Sequence, residues 1–167
     1  MIHLSRACLI ISLCLLFGIC YVSGGNGSGP RQPNSTLATH VLHVEPGWNL
    51  LSLSLNVIDG IKSNLFPTAA SNAFTYRAGY EVAETLRTGQ GFWLRFDAAD
   101  TISVEGGAVF QNTITVQAGW NMIGALTIPI PVSIIQTNPL GIIDSRFYSY
   151  TPGVGYATVD TLQPGLG

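Results

Sequence analysis

The sequence predicts an all-β chain of two tandem small β-modules, barrel-like or sandwich-like, and three observations carry that expectation. First, 19 Gly and 9 Pro divide the 167 residues into short runs of β-forming side chains. Second, helical patterning is confined to residues 58–65 and 132–137, each bounded by Pro or Gly and long enough for one or two turns. Third, the chain repeats itself. Val44-Glu45-Pro46-Gly47-Trp48-Asn49-Leu50-Leu51 returns 72 residues later as Val116-Gln117-Ala118-Gly119-Trp120-Asn121-Met122-Ile123. Phe74-Thr75-Tyr76 returns after 74 residues as Tyr148-Ser149-Tyr150, and residues 84–91 return after 76 as residues 160–167.

From the N-terminus, Arg6 precedes an apolar run at residues 7–19 that ends at Ser23, Gly24 and Gly25. A charged start, a short apolar stretch and a small-residue exit predict a secretory signal peptide over residues 1–24. The run is shorter than the about 20 residues a membrane helix needs. All three cysteines, Cys8, Cys14 and Cys20, fall in this leader, so a mature chain would carry neither disulfide nor thiolate metal site. Cys20, followed by a flexible tether, also has the placement of a lipidated cysteine, although Ile19 precedes it. Residues 25–39 read as a Gly/Ser/Pro linker, within which Asn26 and Asn34 match the glycosylation acceptor pattern.

Module 1 is placed at residues 40–108 and module 2 at 109–167. Pro46-Gly47 suits the centre of a type II turn, Pro presetting φ and Gly supplying the positive φ that follows; Ala118-Gly119 suits the same turn less rigidly. Gly47, Trp48, Asn49 and their counterparts Gly119, Trp120, Asn121 are thus the turn and core residues of the repeat. Alternation across Leu51-Ser52-Leu53-Ser54-Leu55 predicts one buried and one wet face. A turn at Gly89-Gln90-Gly91 feeds Phe92-Trp93-Leu94-Arg95-Phe96, and a further strand follows at residues 101–105. Gly167 is the counterpart of Gly91, so residues 109–167 hold nothing equivalent to those two strands. Module 2 is expected to be incomplete at its C-terminus, with an open sheet edge.

Only 10% of residues are charged, 47% are hydrophobic and the net charge is -2. Seven Lys and Arg scattered singly make no face that follows a phosphate backbone, which excludes a nucleic-acid partner. Residues 25–167 hold no nucleophile elbow, phosphate loop or zinc-protease motif, so no enzyme and no cofactor are expected. His40 and His43 fall on opposite faces of a strand, as do Glu81 and Glu84, and cannot share a metal. Asp97, Asp100 and Glu105 match no calcium loop, so no metal site is assigned. The aromatics remain. Trp93, Tyr80, Tyr76 and Tyr156 are candidate platforms for sugar rings, with Asn49 and Asn121 as hydrogen-bond donors beside them. Trp48 and Trp120 read more simply as anchors of the module interiors.

These blocks resemble a repeat of secreted and outer-surface bacterial proteins, notably of the Bacteroidetes and Chlorobi group. In that repeat a Gly-Trp-Asn turn is followed by a Tyr-rich strand and a Pro-Gly-x-Gly-Tyr-Trp element. Gly47-Trp48-Asn49 and Gly119-Trp120-Asn121 supply the first element, and Tyr76, Tyr80, Tyr150 and Tyr156 the second. Gly89-Gln90-Gly91-Phe92-Trp93 and Pro164-Gly165-Leu166-Gly167 supply the third. The resemblance covers residues 41–167, implies extracellular modules and carries over no catalytic residue. Together these readings lead to the expectation of a non-enzymatic exported protein, secreted or on the outer cell surface, with a structural, adhesive or spacer role. Its partners would be other surface proteins or extracellular polysaccharide, with no membrane span in the mature chain. The alternative is a carbohydrate-binding module of a larger secreted enzyme.

Overall fold

The structure, a computed structural model, describes residues 1–4, 9–13 and 36–167. Cys8, Cys14, Cys20, Asn26, Asn34 and residues 25–35 of the expected linker lie outside the described residues. The fold is all-β. Its strands are β1 (Ile2–Leu4), β2 (Leu9–Leu13), β3 (Leu37–Val44), β4 (Gly47–Ser52), β5 (Leu55–Asn56), β6 (Ala73–Tyr76), β7 (Tyr80–Ala83) and β8 (Gly91–Phe96). They continue as β9 (Asp100–Ala108), β10 (Asn112–Val116), β11 (Gly119–Asn121), β12 (Ile130–Pro131), β13 (Ile135–Asn138), β14 (Phe147–Thr151), β15 (Gly155–Val159) and β16 (Thr161–Leu162). Among the described residues helix appears as two single turns, α1 (Lys62–Leu65) and a 3-10 turn at Val132–Ile134, both inside the segments whose pattern suggests it. Among the described residues no helix is long and apolar enough to cross a membrane.

The first half is a sandwich of open antiparallel sheets, β3-β9-β5 and β4-β8-β6-β7, and no sheet closes into a barrel among the described residues. Period-2 alternation turns Leu42 and Val44 of β3 and Ile102 and Val104 of β9 onto Leu51, Phe92, Leu94 and Phe96 of the facing sheet. Strand β3 starts at Leu37, ahead of the boundary placed at residue 40. The expected wet face of residues 51–55 is dry: Ser52 and Ser54 are both buried. Ser52 Oγ donates to the Leu166 carbonyl at 2.8 Å, and Ser54 Oγ shares a 2.7 Å hydrogen bond with His40 Nδ1. Alternation marked the polar side correctly. It did not reveal that the second half covers it.

The second half has its own core of Val116, Ile123, Ala125, Leu126, Ile130, Ile142, Phe147 and Leu162, joined by Ile2. The sheet edge expected to be open is occupied. Strand β1 pairs with β11 as β8 pairs with β4, and β2 lies between β10 and β13 as β9 lies between β3 and β5. Residues 1–4 and 9–13, read from the sequence as part of a leader, are strands of the second half.

Hydrogen bonds between the halves are reciprocal. Ser52 N–H donates to the Gly165 carbonyl and Gly124 N–H to the Gly89 carbonyl, both at 2.9 Å. Gly91 N–H donates to the Met122 carbonyl at 3.1 Å and Gly167 N–H to the Leu50 carbonyl at 3.3 Å. Each pair is the other with the halves exchanged, because Ser52 corresponds to Gly124, Gly89 to Gly165, Leu50 to Met122 and Gly91 to Gly167. A contact in which i meets j and j meets i is the signature of two-fold packing. Close approach at this axis requires glycine: a Cβ on Gly167 would lie 2.6 Å from the Leu51 carbonyl oxygen and 3.2 Å from Gly91 Cα.

Candidate functional site

Each Gly-Trp-Asn turn is held by its own asparagine. Gly47 and Gly119 adopt φ of +97° and +88°, the left-handed conformation a turn at these positions requires. Asn49 Oδ1 accepts from Glu45 N–H at 3.1 Å, while Nδ2 donates to the carbonyls of Glu45 at 2.8 Å and Gly47 at 3.1 Å. Asn121 repeats this with Gln117 at 2.9 and 2.8 Å and Gly119 at 2.9 Å. Both amides are therefore committed to the turn and buried, which corrects their assignment as donors to a ligand. Asn49→Ala or Asn121→Ala would remove all three hydrogen bonds that tie the turn to its own strand. Each is expected to lower stability by about 2 kcal/mol, read from the urea midpoint.

The turns place Trp48 and Trp120 at matching positions, 42% and 40% exposed. They are not the module interiors, which Leu, Ile, Val and Phe fill. Each Trp instead meets the corresponding aromatic of its own half edge-on: Trp48 with Phe74 and Trp120 with Tyr148, both at 5.9 Å between centroids. The tyrosine pairs correspond too, Tyr76–Tyr80 at 5.2 Å and Tyr150–Tyr156 at 5.3 Å. Trp93 crosses between the halves. At 8% exposure it is a buried anchor rather than a bare platform, edge-on to Trp48 at 6.5 Å, Tyr150 at 4.7 Å and Tyr156 at 6.4 Å. It packs with Leu50 and Met122, which correspond to each other across the axis.

Two clefts open along this seam. One, of about 440 Å³, is walled by Trp48, Phe74, Trp93, Tyr150 and Tyr80. The other, of about 500 Å³, is walled by Trp120, Tyr148, Met1, Tyr76, Tyr156 and Tyr80. Exchanging the halves carries the five residues of the first lining onto five of the six in the second, with Met1 in the place of Trp93; Tyr80 lines both clefts. Tyr80 at 60% and Tyr156 at 52% exposure are the most open rings of the four candidate platform residues, while Tyr76 is half-buried. The Tyr156 phenol is pushed up by burial first and by its neighbours Tyr80 and Tyr150 after that. The only non-phenolic ionisable group in the linings is the Met1 ammonium, which burial lowers to about 5. At neutral pH the clefts are uncharged, aromatic and rimmed by hydroxyls, suited to a neutral flat-faced ligand rather than to proton transfer.

The remaining sequence candidates stay apart. His40 is half-buried against Ser54, its imidazole lowered by burial, while His43 is exposed beside Thr101 at 3.2 Å. Glu81, Glu84 and Glu105 are exposed. Asp97 pairs with Arg95 at 2.8 Å, and Asp100 accepts from Thr68 Oγ1 at 2.7 Å, the contact that lowers its carboxyl most. Among the described residues no three His, Cys, Asp or Glu side chains gather as metal ligands. Sequence reasoning missed Ser71 and Ser145, whose hydroxyls receive the Arg95 and His3 backbone N–H, both at 2.9 Å. Their spacing of 74 residues was the available signal. Fold and site together define a pair of β-units packed about an approximate two-fold axis along an aromatic seam. No family model, curated protein or solved structure matches the chain.

Proposed function

We propose that the chain is an exported, non-enzymatic repeat protein, secreted or held at a bacterial surface, with a structural, adhesive or spacer role. The observation that supports this reading is the use of the repeated aromatics. Trp48, Trp93, Tyr150 and Tyr156 meet ring to ring within and between the halves, so aromatic contacts tie the two β-units together. Edge-to-face pairs contribute about 0.5–1.5 kcal/mol each beyond their buried area, enough for a short seam to couple the units. Single-molecule pulling on the full chain tests it. Residues 36–167 are expected to yield in one force event. Two separate events, each releasing half that length, would count against a coupled spacer.

The twin clefts favour a second reading, carbohydrate binding, because exposed Tyr80 and Tyr156 rim them. Retardation of the native chain in polysaccharide-containing gels, abolished by Tyr80→Ala with Tyr156→Ala, would favour that reading over the spacer.

A further inference from the structure

Tyr76 and Trp120, which wall the larger aromatic cleft, also line an adjoining cleft of about 450 Å³ whose character is different. Strand β10, the turn at Gly89-Gln90 and the tip of the β6–β7 hairpin form it, and its charged residues are Arg77 and Arg87. Arg77 stands at a tight tip: its N–H donates to the Gly79 carbonyl at 2.8 Å, and Ala78 between them adopts a φ of +56°. Arg87 follows buried Leu86, and its carbonyl accepts from Gln90 N–H at 3.2 Å. Both arginine side chains are exposed, and among the described residues the arginine held in an ion pair is Arg95, with Asp97. No Asp or Glu lines the cleft. In a chain with nine acidic and seven basic residues, this cleft carries the opposite sign to the whole.

The other half supplies the comparison. Gly89 and Gly165 have φ of +80° and +81°, and the Gly-Trp-Asn turns and tyrosine pairs coincide, so the backbones around the two positions correspond. Exchanging the halves carries Arg77 to Thr151, Arg87 to Gln163 and Gln117 to Glu45. One position thus holds two positive charges where its counterpart holds a single negative one. The repeat folds without either arginine, and their convergence is particular to this cleft.

We propose that this cleft and the aromatic cleft beside it bind an acidic polysaccharide, with a sugar ring on Trp120 and Tyr76 and the acid group, carboxylate or sulfate, at Arg77 and Arg87. The guanidinium fork matches either oxyanion, and exposed Thr115 and Gln117 offer hydrogen bonds to hydroxyls. Arg87, Thr88 and Asn112 also line a further cleft of about 640 Å³, again free of Asp and Glu, which gives a polymer room to continue. The inference rests on the carbohydrate reading above and adds the charge of the sugar.

Electrophoresis of the full chain in gels containing dextran, polygalacturonate or dextran sulfate tests it. Retardation by at least one of the two acidic polymers is expected to be at least about tenfold stronger than by dextran. Arg77→Gln with Arg87→Gln is expected to abolish that preference and to leave the urea midpoint unchanged, since neither side chain holds the fold. Arg95→Gln with Arg146→Gln removes the same charge outside the three linings and should retain the preference. Stronger retardation by polygalacturonate identifies a carboxylate ligand and by dextran sulfate a sulfate ligand, and either supports the site. Equal retardation by all three polymers would overturn the acidic ligand and leave the carbohydrate reading standing, whereas no retardation by any of them would remove both. Equal losses in the two double variants would assign the preference to net charge and overturn the site.

Discussion

Gly124→Ser is expected to destabilise the fold by about 3 kcal/mol, and combining it with Ser52→Gly is expected to restore more than half of that loss. A Cβ at position 124 would overlap the Cβ of Ser52, so the backbone of one half must withdraw from the other. The two positions correspond across the axis, one carrying a side chain and the other a hydrogen atom. Exchanging them keeps the number of atoms at the crossing and moves the hydroxyl to the opposite side. Ser52 Oγ now donates to the Leu166 carbonyl; a serine at 124 would face the corresponding carbonyl of Gln90. Urea midpoints of the two single variants and the double variant measure this as a cycle. Simple additivity of the two losses would show that positions 52 and 124 do not meet.

Docking of β1 is expected to strengthen as pH rises from 5 to 8, by up to roughly 4 kcal/mol, and Nα-acetylation of Met1 is expected to remove this dependence. Burial lowers the α-ammonium from 8.0 to about 5. Between these values the released chain holds a proton that the docked chain does not, so stability increases with pH across that window and levels off above 8. Below 5 both states are protonated and the penalty is present in full. The amine donates to the Tyr148 carbonyl at 2.8 Å, and the titratable residues that line the same cleft are Tyr76, Tyr80, Tyr148 and Tyr156. The His3–Asp144 pair, at 2.7 Å, lies two positions along β1. These groups are common to acetylated and free chains, so their difference isolates the amine. The acetylated chain should be the more stable at pH 5 and equal above pH 8, read from amide exchange of residues 2–4. Parallel curves would mean that the amine stays hydrated.

The all-β class, the Gly47 and Gly119 turns and the two single-turn helical segments were legible because each follows from local chemistry: positive φ, alternation, and Pro or Gly limits. What was not legible depends on the other half. Ser52 has the polarity of a surface position and becomes buried because Gly124 and residues 165–167 of the other half lie on it. Trp48 and Trp120 look like core residues by size, yet the Leu and Phe residues of each sandwich already fill it, leaving the indoles to the seam. Trp93 and Tyr80 carry the same aromatic signal in sequence. Only the crossing of the halves separates a buried anchor from an open ring.

Two-fold packing of the halves is tested most directly by proton NMR of the full chain, through nuclear Overhauser contacts between Gly91 Hα and Gly167 Hα and between the rings of Trp93 and Tyr150. Both cross-peaks are expected, the first from backbones that touch at the axis and the second from centroids 4.7 Å apart. Neither pair is close within its own half. A spectrum in which each half keeps its internal contacts and both of these cross-peaks are missing would contradict the packing.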